Sequence, residues 1–323
     1  MRKLIFISLL LSVVACTKTE NDSIKRNSPM RVNAMAESAE AFGSGNPVFL
    51  FWLDKDFSEI AQNTSVEPYL VAWPYGTIDS YKTETYNTGK KYPENDQTVY
   101  CTGYYPSTLI VGEDKEKNHW ATLTVPSDQV GLTDVMVVKT SITGTESSHF
   151  ETPLKFYHAQ SKINFKAKMG SDMAKNRYLR NVKVTIPGKD QLVRTFVWEN
   201  NRYTAGEILQ DETYMVNLQD PNSAQLDPNE LQSRELGSIY LRPNQNKITF
   251  DLQVEMSETV TFDTYEIIRT SKPMTLYFNT NGTAITLAEG DEYDINITVL
   301  YDSFVVTGKK AKWQDGGDIP LPF

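Results

Sequence analysis

The chain has 323 residues, of which 40% are hydrophobic and 11% are aromatic, a composition that supports a packed core and argues against global disorder. A net charge of −9 with a pI near 5.0 argues against a nucleic-acid binder, which needs a basic surface to neutralise phosphates. The same charge argues against adsorption to anionic lipid through electrostatics alone.

The N-terminus has the layout of a secretory signal, in which two basic residues precede an apolar run and small Ala15 stands directly before Cys16. The apolar run has about 11 residues, whereas a membrane-spanning helix needs about 20, so a permanent span is not expected. The ending Val-Val-Ala-Cys resembles a bacterial lipobox, in which the cysteine is lipidated. We therefore predict a lipoprotein signal peptide over residues 1–15 and a lipid anchor, palmitate included, on Cys16. The alternative is an ordinary signal peptide with a chance cysteine.

The segment that follows, residues 16–31, is polar, charged and nearly free of aromatic side chains. This composition predicts a flexible tether or propeptide that separates a lipid anchor from the folded part. The segment contains Arg26 and Arg31, and the first strand is predicted after them, over residues 32–35.

Beyond the tether the pattern is that of β-strands. A continuous apolar run of strand length is followed along the chain by stretches of period-two alternation, which is typical of strands with one buried and one solvated face. The apolar run is Val48–Trp52, and the alternating stretches are Ile163–Ala167, Val182–Ile186, Ile248–Met256 and Tyr293–Val299. These patterns predict an all-β protein of sandwich type, with two sandwiches in series over residues 32–150 and 151–323.

Residues suited to catalysis or metal binding are sparse. The three histidines, His119, His149 and His158, have no metal-ligand spacing, and neither a nucleophile elbow nor a phosphate-binding loop is present. Cys101 lies in a strand-like run, where a lone thiol is interpreted as a small buried hydrophobe. The acidic residues are scattered, so a hydrolase with two close carboxylates has little support. We predict no catalytic residue, no metal and no cofactor, and hence no enzyme.

The tryptophans allow two interpretations. Trp73, Trp120, Trp198 and Trp313, together with tyrosines between residues 69 and 105, either stack on sugars or pack the sandwich cores. The core interpretation is favoured because aromatic side chains dominate core burial. The sugar interpretation corresponds to an alternative function, a surface glycan-binding lipoprotein.

Several motifs, in their order and spacing, resemble the fimbrillin family of Bacteroidota, the subunits of type V pili. They are Tyr100–Pro106, Asp128-Gln129, Asp134–Val138, Pro153–Phe165, Leu287–Tyr293 and Trp313–Gly317. In Pro153–Phe165 the apolar alternation is interrupted at His158 and Ser161, which predicts a bend or a switch between sheets, with His158 as a hydrogen-bonded structural residue.

The resemblance implies two transthyretin-like β-sandwiches, export to the outer membrane as a surface-exposed lipoprotein, and assembly with other fimbrial subunits by donor-strand addition, with a host or bacterial surface as a further ligand. It also implies cleavage by an arginine-specific protease, for which Arg26 and Arg31 are the candidates. Residues 36–47 contain no arginine, which favours retention of the lipid and an anchor role, with stalk and tip left open. Pro320 and Pro322 make the C-terminal tail a poor central strand, and its role as a donor is open.

Overall fold

The computed structural model describes residues 28–36, 46–53, 70–72, 75–78, 84–93, 96–112, 119–170, 178–187, 191–200, 202–206, 215–219, 233–257, 267–270, 273–300 and 303–311. Within them the regular structure consists of strands and two 3₁₀ turns, His119–Ala121 and Ser127–Gln129. The all-β prediction is confirmed. None of the described residues belongs to a helix of the length and apolarity that a bilayer crossing requires.

The described residues of the first half form eleven strands. They are β1 (Pro29–Ala36), β2 (Val48–Leu53), β3 (Leu70–Ala72), β4 (Tyr75–Ile78), β5 (Glu84–Lys91), β6 (Val99–Tyr105), β7 (Ile110–Val111), β8 (Thr122–Thr124), β9 (Met136–Val138), β10 (Ile142–Gly144) and β11 (Leu154–His158). Nine of them form one sheet, with the order β3-β2-β6-β9-β11-β1-β5-β4 and with β10 paired to β6. The N-terminal strand β1 therefore lies inside this sheet and not at its edge.

The second half supplies the remaining strands. They are β12 (Ser161–Met169), β13 (Tyr178–Pro187), β14 (Thr195–Glu199), β15 (Arg202–Ala205), β16 (Met215–Gln219), β17 (Arg234–Leu241), β18 (Lys247–Ser257), β19 (Ile267–Thr270), β20 (Met274–Tyr277), β21 (Asn279–Thr280), β22 (Thr283–Ala284), β23 (Glu292–Val299) and β24 (Phe304–Ala311). One sheet has the order β17-β12-β23-β24, and another has the order β16-β13-β18-β19 with β20 paired to β18.

A further four-stranded sheet, which we name the shared sheet, has the order β15-β14-β8-β7 and takes two strands from each half of the chain. Its central ladder is antiparallel and places Phe196 opposite Leu123. The shared sheet thus spans the predicted boundary at residue 150, and the division into two domains stays a prediction.

Apolar side chains pack into two clusters. The N-terminal core contains Met30, Val32, Ala34, Ala36, Phe49, Phe51, Tyr86, Tyr92, Val99, Cys101, Tyr105, Met136, Val138, Ile142, Phe150, Leu154 and Phe156. The large core runs from Val48 to Val299 and draws on both halves. Successive residues of β2 alternate between the two, since Phe49 and Phe51 belong to the N-terminal core and Leu50 and Trp52 to the large core. The unbroken apolar run in β2 follows from burial of both its faces.

The large core is centred on three tryptophans. The ring centroids of Trp52 and Trp120 lie 5.2 Å apart, those of Trp120 and Trp198 5.5 Å apart, and those of Trp52 and Trp198 6.2 Å apart. All three are at most 5% exposed. The core interpretation of Trp120 and Trp198 is confirmed, while Trp73 and Trp313 lie outside the described residues.

The predicted switch between sheets is confirmed at the end of β11. This strand belongs to the nine-stranded sheet, and after two intervening residues β12 begins in a different sheet. His158 is buried, and its Nδ1 lies 2.9 Å from Oδ1 of Asp134. The side chain of Gln160 accepts a hydrogen bond from the amide of Val135 at 3.1 Å. Both polar side chains therefore fix the turn of the chain between sheets.

Candidate functional site

The candidate site is β1 together with the strands on either side of it. The side chains of Met30, Val32 and Ala34 are fully buried and that of Ala36 is 9% exposed, whereas Arg31 points to solvent. This alternation is the period of a strand with one face on a core. The apolar face of β1 completes the N-terminal core.

Two ladders hold the backbone of β1. It pairs antiparallel with β5, from Pro29 opposite Lys91 to Ala34 opposite Glu84, with an irregularity between Pro29 and Arg31. It pairs parallel with β11 over a shorter stretch, where residues 34–36 face residues 154–156. Because both neighbours are needed to satisfy the backbone of β1, loss of β1 would leave unpaired donors and acceptors on β5 and β11.

Side chains and loops add further hydrogen bonds to β1. The hydroxyl of Thr88 donates to the carbonyl of Met30 at 2.8 Å, and the hydroxyl of Thr85 donates to Oδ1 of Asn33 at 2.7 Å. Ahead of the strand, the amide of Ser28 donates to Glu146 Oε1 at 3.2 Å. These bonds add to the stabilisation that β1 gains from apolar burial and from the two ladders.

The floor beneath β1 is largely aromatic. The ring of Phe49 lies 5.6 Å from that of Tyr86 and 6.3 Å from that of Phe156, and Phe150 lies 6.0 Å from Phe51.

Burial raises the pKa of the Cys101 thiol well above its ordinary value, since a thiolate is disfavoured in an apolar setting. Cys101 is buried and free, as predicted. We name the apolar slot between β5 and β11, with this floor, the groove.

The groove is suited to binding a strand. It offers two rows of backbone hydrogen-bonding groups and an apolar trough for alternate side chains, which is the chemistry of strand addition. Among the described residues, no group of histidine, cysteine, aspartate and glutamate side chains is arranged to hold a metal ion.

Comparison with known proteins identifies the family. The model of the fimbrillin-like family matches residues 32–313. The chain belongs to the fimbrillin-like family. Members of this family are pilus subunits without enzymatic activity, so the chain is not an enzyme. No curated protein matches the sequence.

Several solved structures are similar to this fimbrillin-like chain. A candidate cell adhesion protein of Bacteroides uniformis is 12% identical, with 88% of this chain and 98% of that chain covered and a TM-score of 0.48. A fimbrial protein of Bacteroides vulgatus is 13% identical, with 88% and 99% covered and a TM-score of 0.44. The tip fimbrial protein Mfa3 of Porphyromonas gingivalis, with a C-terminal truncation, is 12% identical, with 89% and 100% covered and a TM-score of 0.42.

The residues predicted to be processed fall in different places. Cys16 and Arg26 lie outside the described residues of this fimbrillin-like chain. Arg31 lies within β1 and pairs with Asn87, so the prediction that it precedes the first strand is wrong. The strand begins three residues earlier than predicted. The prediction missed this start because Pro29 and Arg31 face solvent, and outward residues of this kind resemble the polar tether in the sequence.

Sequence reasoning also missed the role of Met30. A period-two signal was nevertheless present in the sequence, since Met30, Val32, Ala34 and Ala36 alternate with other residues from the start of β1. The partners of β1 could not be read in the same way, because β11 lies more than a hundred residues further along the chain.

Proposed function

We propose that this chain is a structural subunit of a cell-surface fimbria that assembles by donor-strand addition at the groove and contributes to adhesion. The observation that carries the proposal is the position of β1, an N-terminal strand inserted between β5 and β11 with its apolar face buried. An exposed groove of this kind would aggregate, and filling it with a strand from the same chain keeps a precursor soluble. A strand from a neighbouring subunit would then replace β1.

The proposed route begins with removal of residues 1–15 and lipidation of Cys16, which places the protein on the surface of the outer membrane. Residues 16–28 then connect the lipid to β1. The tether enters the fold at the groove itself, so the anchor and the assembly site lie at the same end of the chain. This arrangement supports an anchor role, in which the subunit stays attached to the membrane.

Arginine-specific cleavage does not readily free the whole of β1. A cut after Arg26 leaves β1 intact, and a cut after Arg31 removes residues 29–31 and leaves residues 32–36 in the groove. Because residues 36–47 contain no arginine, complete release requires another protease or displacement without a cut. Displacement without a cut keeps the lipid on the subunit, whereas a cut by another protease within residues 36–47 separates Cys16 and its lipid from the folded chain.

Replacing Cys16 with alanine tests the anchor. We expect Cys16→Ala to move the protein from the membrane fraction to the soluble fraction, because the acyl chains supply the membrane affinity and the acidic chain offers little electrostatic attraction. Fractionation and mass determination of the mature N-terminus measure this directly. Cys101→Ala is the matched control and should leave the protein in the membrane fraction. Unchanged membrane association of Cys16→Ala would contradict lipid anchoring at this residue.

Locking β1 in place tests donor-strand addition. Asn33 and Thr85 are directly opposite in the antiparallel ladder, and their side-chain oxygens lie 2.7 Å apart. Cysteines at both positions can therefore form a disulfide with little backbone adjustment. We expect the oxidised double variant N33C/T85C to lose SDS-resistant ladders of fimbrial polymer, and reduction before assembly to restore them.

The two single variants, N33C and T85C, are the controls and should assemble in both redox conditions. A disulfide-locked subunit that still enters polymers through this groove would show that β1 does not have to leave. That result would contradict assembly by replacement of β1.

A further inference from the structure

We propose that the groove selects its incoming strand by side-chain size, that it requires an alanine-sized residue at the position of Ala34, and that the strand comes from a different subunit. The inference rests on the proposed donor-strand function and names the partner that this function needs.

Ala34 is the position of β1 that has strand neighbours on both sides. It is the residue that appears in both described ladders, opposite Glu84 of β5 and beside Leu154 of β11. A strand at this point is held on both sides and cannot move sideways to make room for a larger group. The described pairing with β11 begins at Ala34, so Val32 has a described ladder neighbour on the β5 side alone, and Met30 lies at the irregularity of that ladder.

Small residues of β1 lie beside large residues of β11. Ala34 is in register with Leu154 and Ala36 with Phe156, and in parallel strands such neighbours point to the same face. All four side chains belong to the N-terminal core. The space beside Ala34 is therefore filled by β11 and not by the occupant of the groove.

The wall that Phe156 forms has little freedom to retreat. Phe156 is fully buried, and its ring packs edge-on against Phe49 at a centroid distance of 6.3 Å. Gly103, which pairs with Phe49, also lies beside the ring, and an added Cβ there would lie 3.1 Å from Cζ of Phe156. The ring thus occupies the space that a side chain at residue 103 would take. A larger side chain on the strand in the groove, near Phe156, would therefore overpack the core.

The C-terminal tail of this chain does not meet the requirement. Its alternating apolar residues are Ile319, Leu321 and Phe323, all of them large, so each would overfill the position of Ala34. Pro320 and Pro322 also remove backbone donors from one side of the tail, whereas a strand between β5 and β11 needs donors on both sides. With the tail set aside, the proposed occupant is an extended segment of a different subunit, with a small residue at the third of its four inward positions.

A strand-exchange assay tests this rule on the full chain. A recognition site for a sequence-specific protease is inserted within residues 37–45, so that the cut protein keeps β1 without a covalent link to the groove. Labelled eight-residue peptides then compete with β1 just below the unfolding midpoint, and native mass spectrometry counts the exchanged fraction. The probes are the β1 sequence itself, its Ala34→Leu variant, its Arg31→Leu variant and a peptide of residues 316–323.

We expect the β1 peptide and its Arg31→Leu variant to exchange equally, because residue 31 faces solvent and leucine there meets no wall. We expect the Ala34→Leu peptide to need at least about tenfold more peptide for the same exchange, since overpacking a confined site weakens binding by about that factor. The peptide of residues 316–323 should not exchange.

The outcomes separate the two proposals. Equal exchange of the Ala34→Leu peptide would overturn the size rule and leave donor-strand addition standing. Efficient exchange of the 316–323 peptide would overturn the assignment to a different subunit and point to a second copy of this chain. Failure of the β1 peptide itself to exchange would contradict donor-strand addition at this groove, and the size rule with it.

Discussion

Replacing Trp198 with alanine is expected to lower the free energy of unfolding by about 3–5 kcal/mol, the usual cost of removing a buried tryptophan side chain. The indole is 5% exposed and packs against Trp120 at 5.5 Å and Tyr203 at 5.0 Å between ring centroids. Trp198 lies on β14 of the shared sheet, while Trp52 comes from β2 of the nine-stranded sheet. The cavity would therefore open between the two halves of the chain, where no single strand can move to fill it.

Chemical denaturation followed by far-ultraviolet circular dichroism measures this loss. Tyr277→Ala is the control, because this aromatic side chain is 61% exposed and its truncation should change the free energy of unfolding by about 0.5 kcal/mol or less. If both variants unfolded at the denaturant concentration of the parent protein, the tryptophan cluster would not be a stabilising centre of the fold.

Gly103→Ala is expected to cost about 3 kcal/mol, at the upper end of the range for overpacking. A Cβ at this position would lie 2.4 Å from the carbonyl oxygen of Val48, a distance that real structures do not tolerate. Because β2 and β6 are paired along their length, this carbonyl cannot turn away without disturbing the ladder. The second close contact is with Phe156, so the variant should also deform the wall of the groove.

Gly282→Asn provides the comparison for this variant. Gly282 has a φ of +82° and no atom within 4 Å of an added Cβ, so asparagine, which tolerates left-handed backbone, should cost about 1 kcal/mol or less. Thermal unfolding of the two variants side by side is the measurement. Similar losses for both would mean that the crowding at Gly103 is relieved by an easy backbone shift.

Period-two alternation identified the long strands correctly because each has one face on a core. Ile163–Ala167 lies within β12, Val182–Ile186 within β13 and Tyr293–Val299 within β23. The match is close in these strands because burial alternates along them residue by residue. The buried histidine at the end of β11 was also foreseen, since a polar residue that interrupts an apolar alternation needs a partner, which Asp134 supplies.

The shared sheet could not be predicted from the sequence. Its strands β7 and β8 have two and three residues, too few for any period to emerge. The pairing of β8 with Thr195–Val197 joins segments about seventy residues apart, so local propensity carries no signal for it. The start of β1 was misplaced for a related reason, because its outward residues carry the polar character of the tether.

The site was predicted in kind but not in detail. The resemblance to fimbrillins implied a strand-accepting groove, whereas the identity of its walls, β5 and β11, required the fold. The inward residues of β1 become smaller from Met30 to Ala34. This decrease can be explained only once Leu154 is known to lie beside Ala34. Cys16 and Arg26 remain predictions of the sequence alone.

Under the proposed donor-strand assembly, the short passage from β11 to β12 would give the subunit a path for mechanical tension. A pull on a strand held in the groove is transmitted by hydrogen bonds to β11, and from there through Ala159 and Gln160 into β12, which is flanked by β17 and β23. Tension along β12 would shear both of its ladders at once, so that their bonds share the force instead of breaking one after another. A filament built from such links would resist stretching through its covalent backbone, with the strand-filled groove as the joint that yields first.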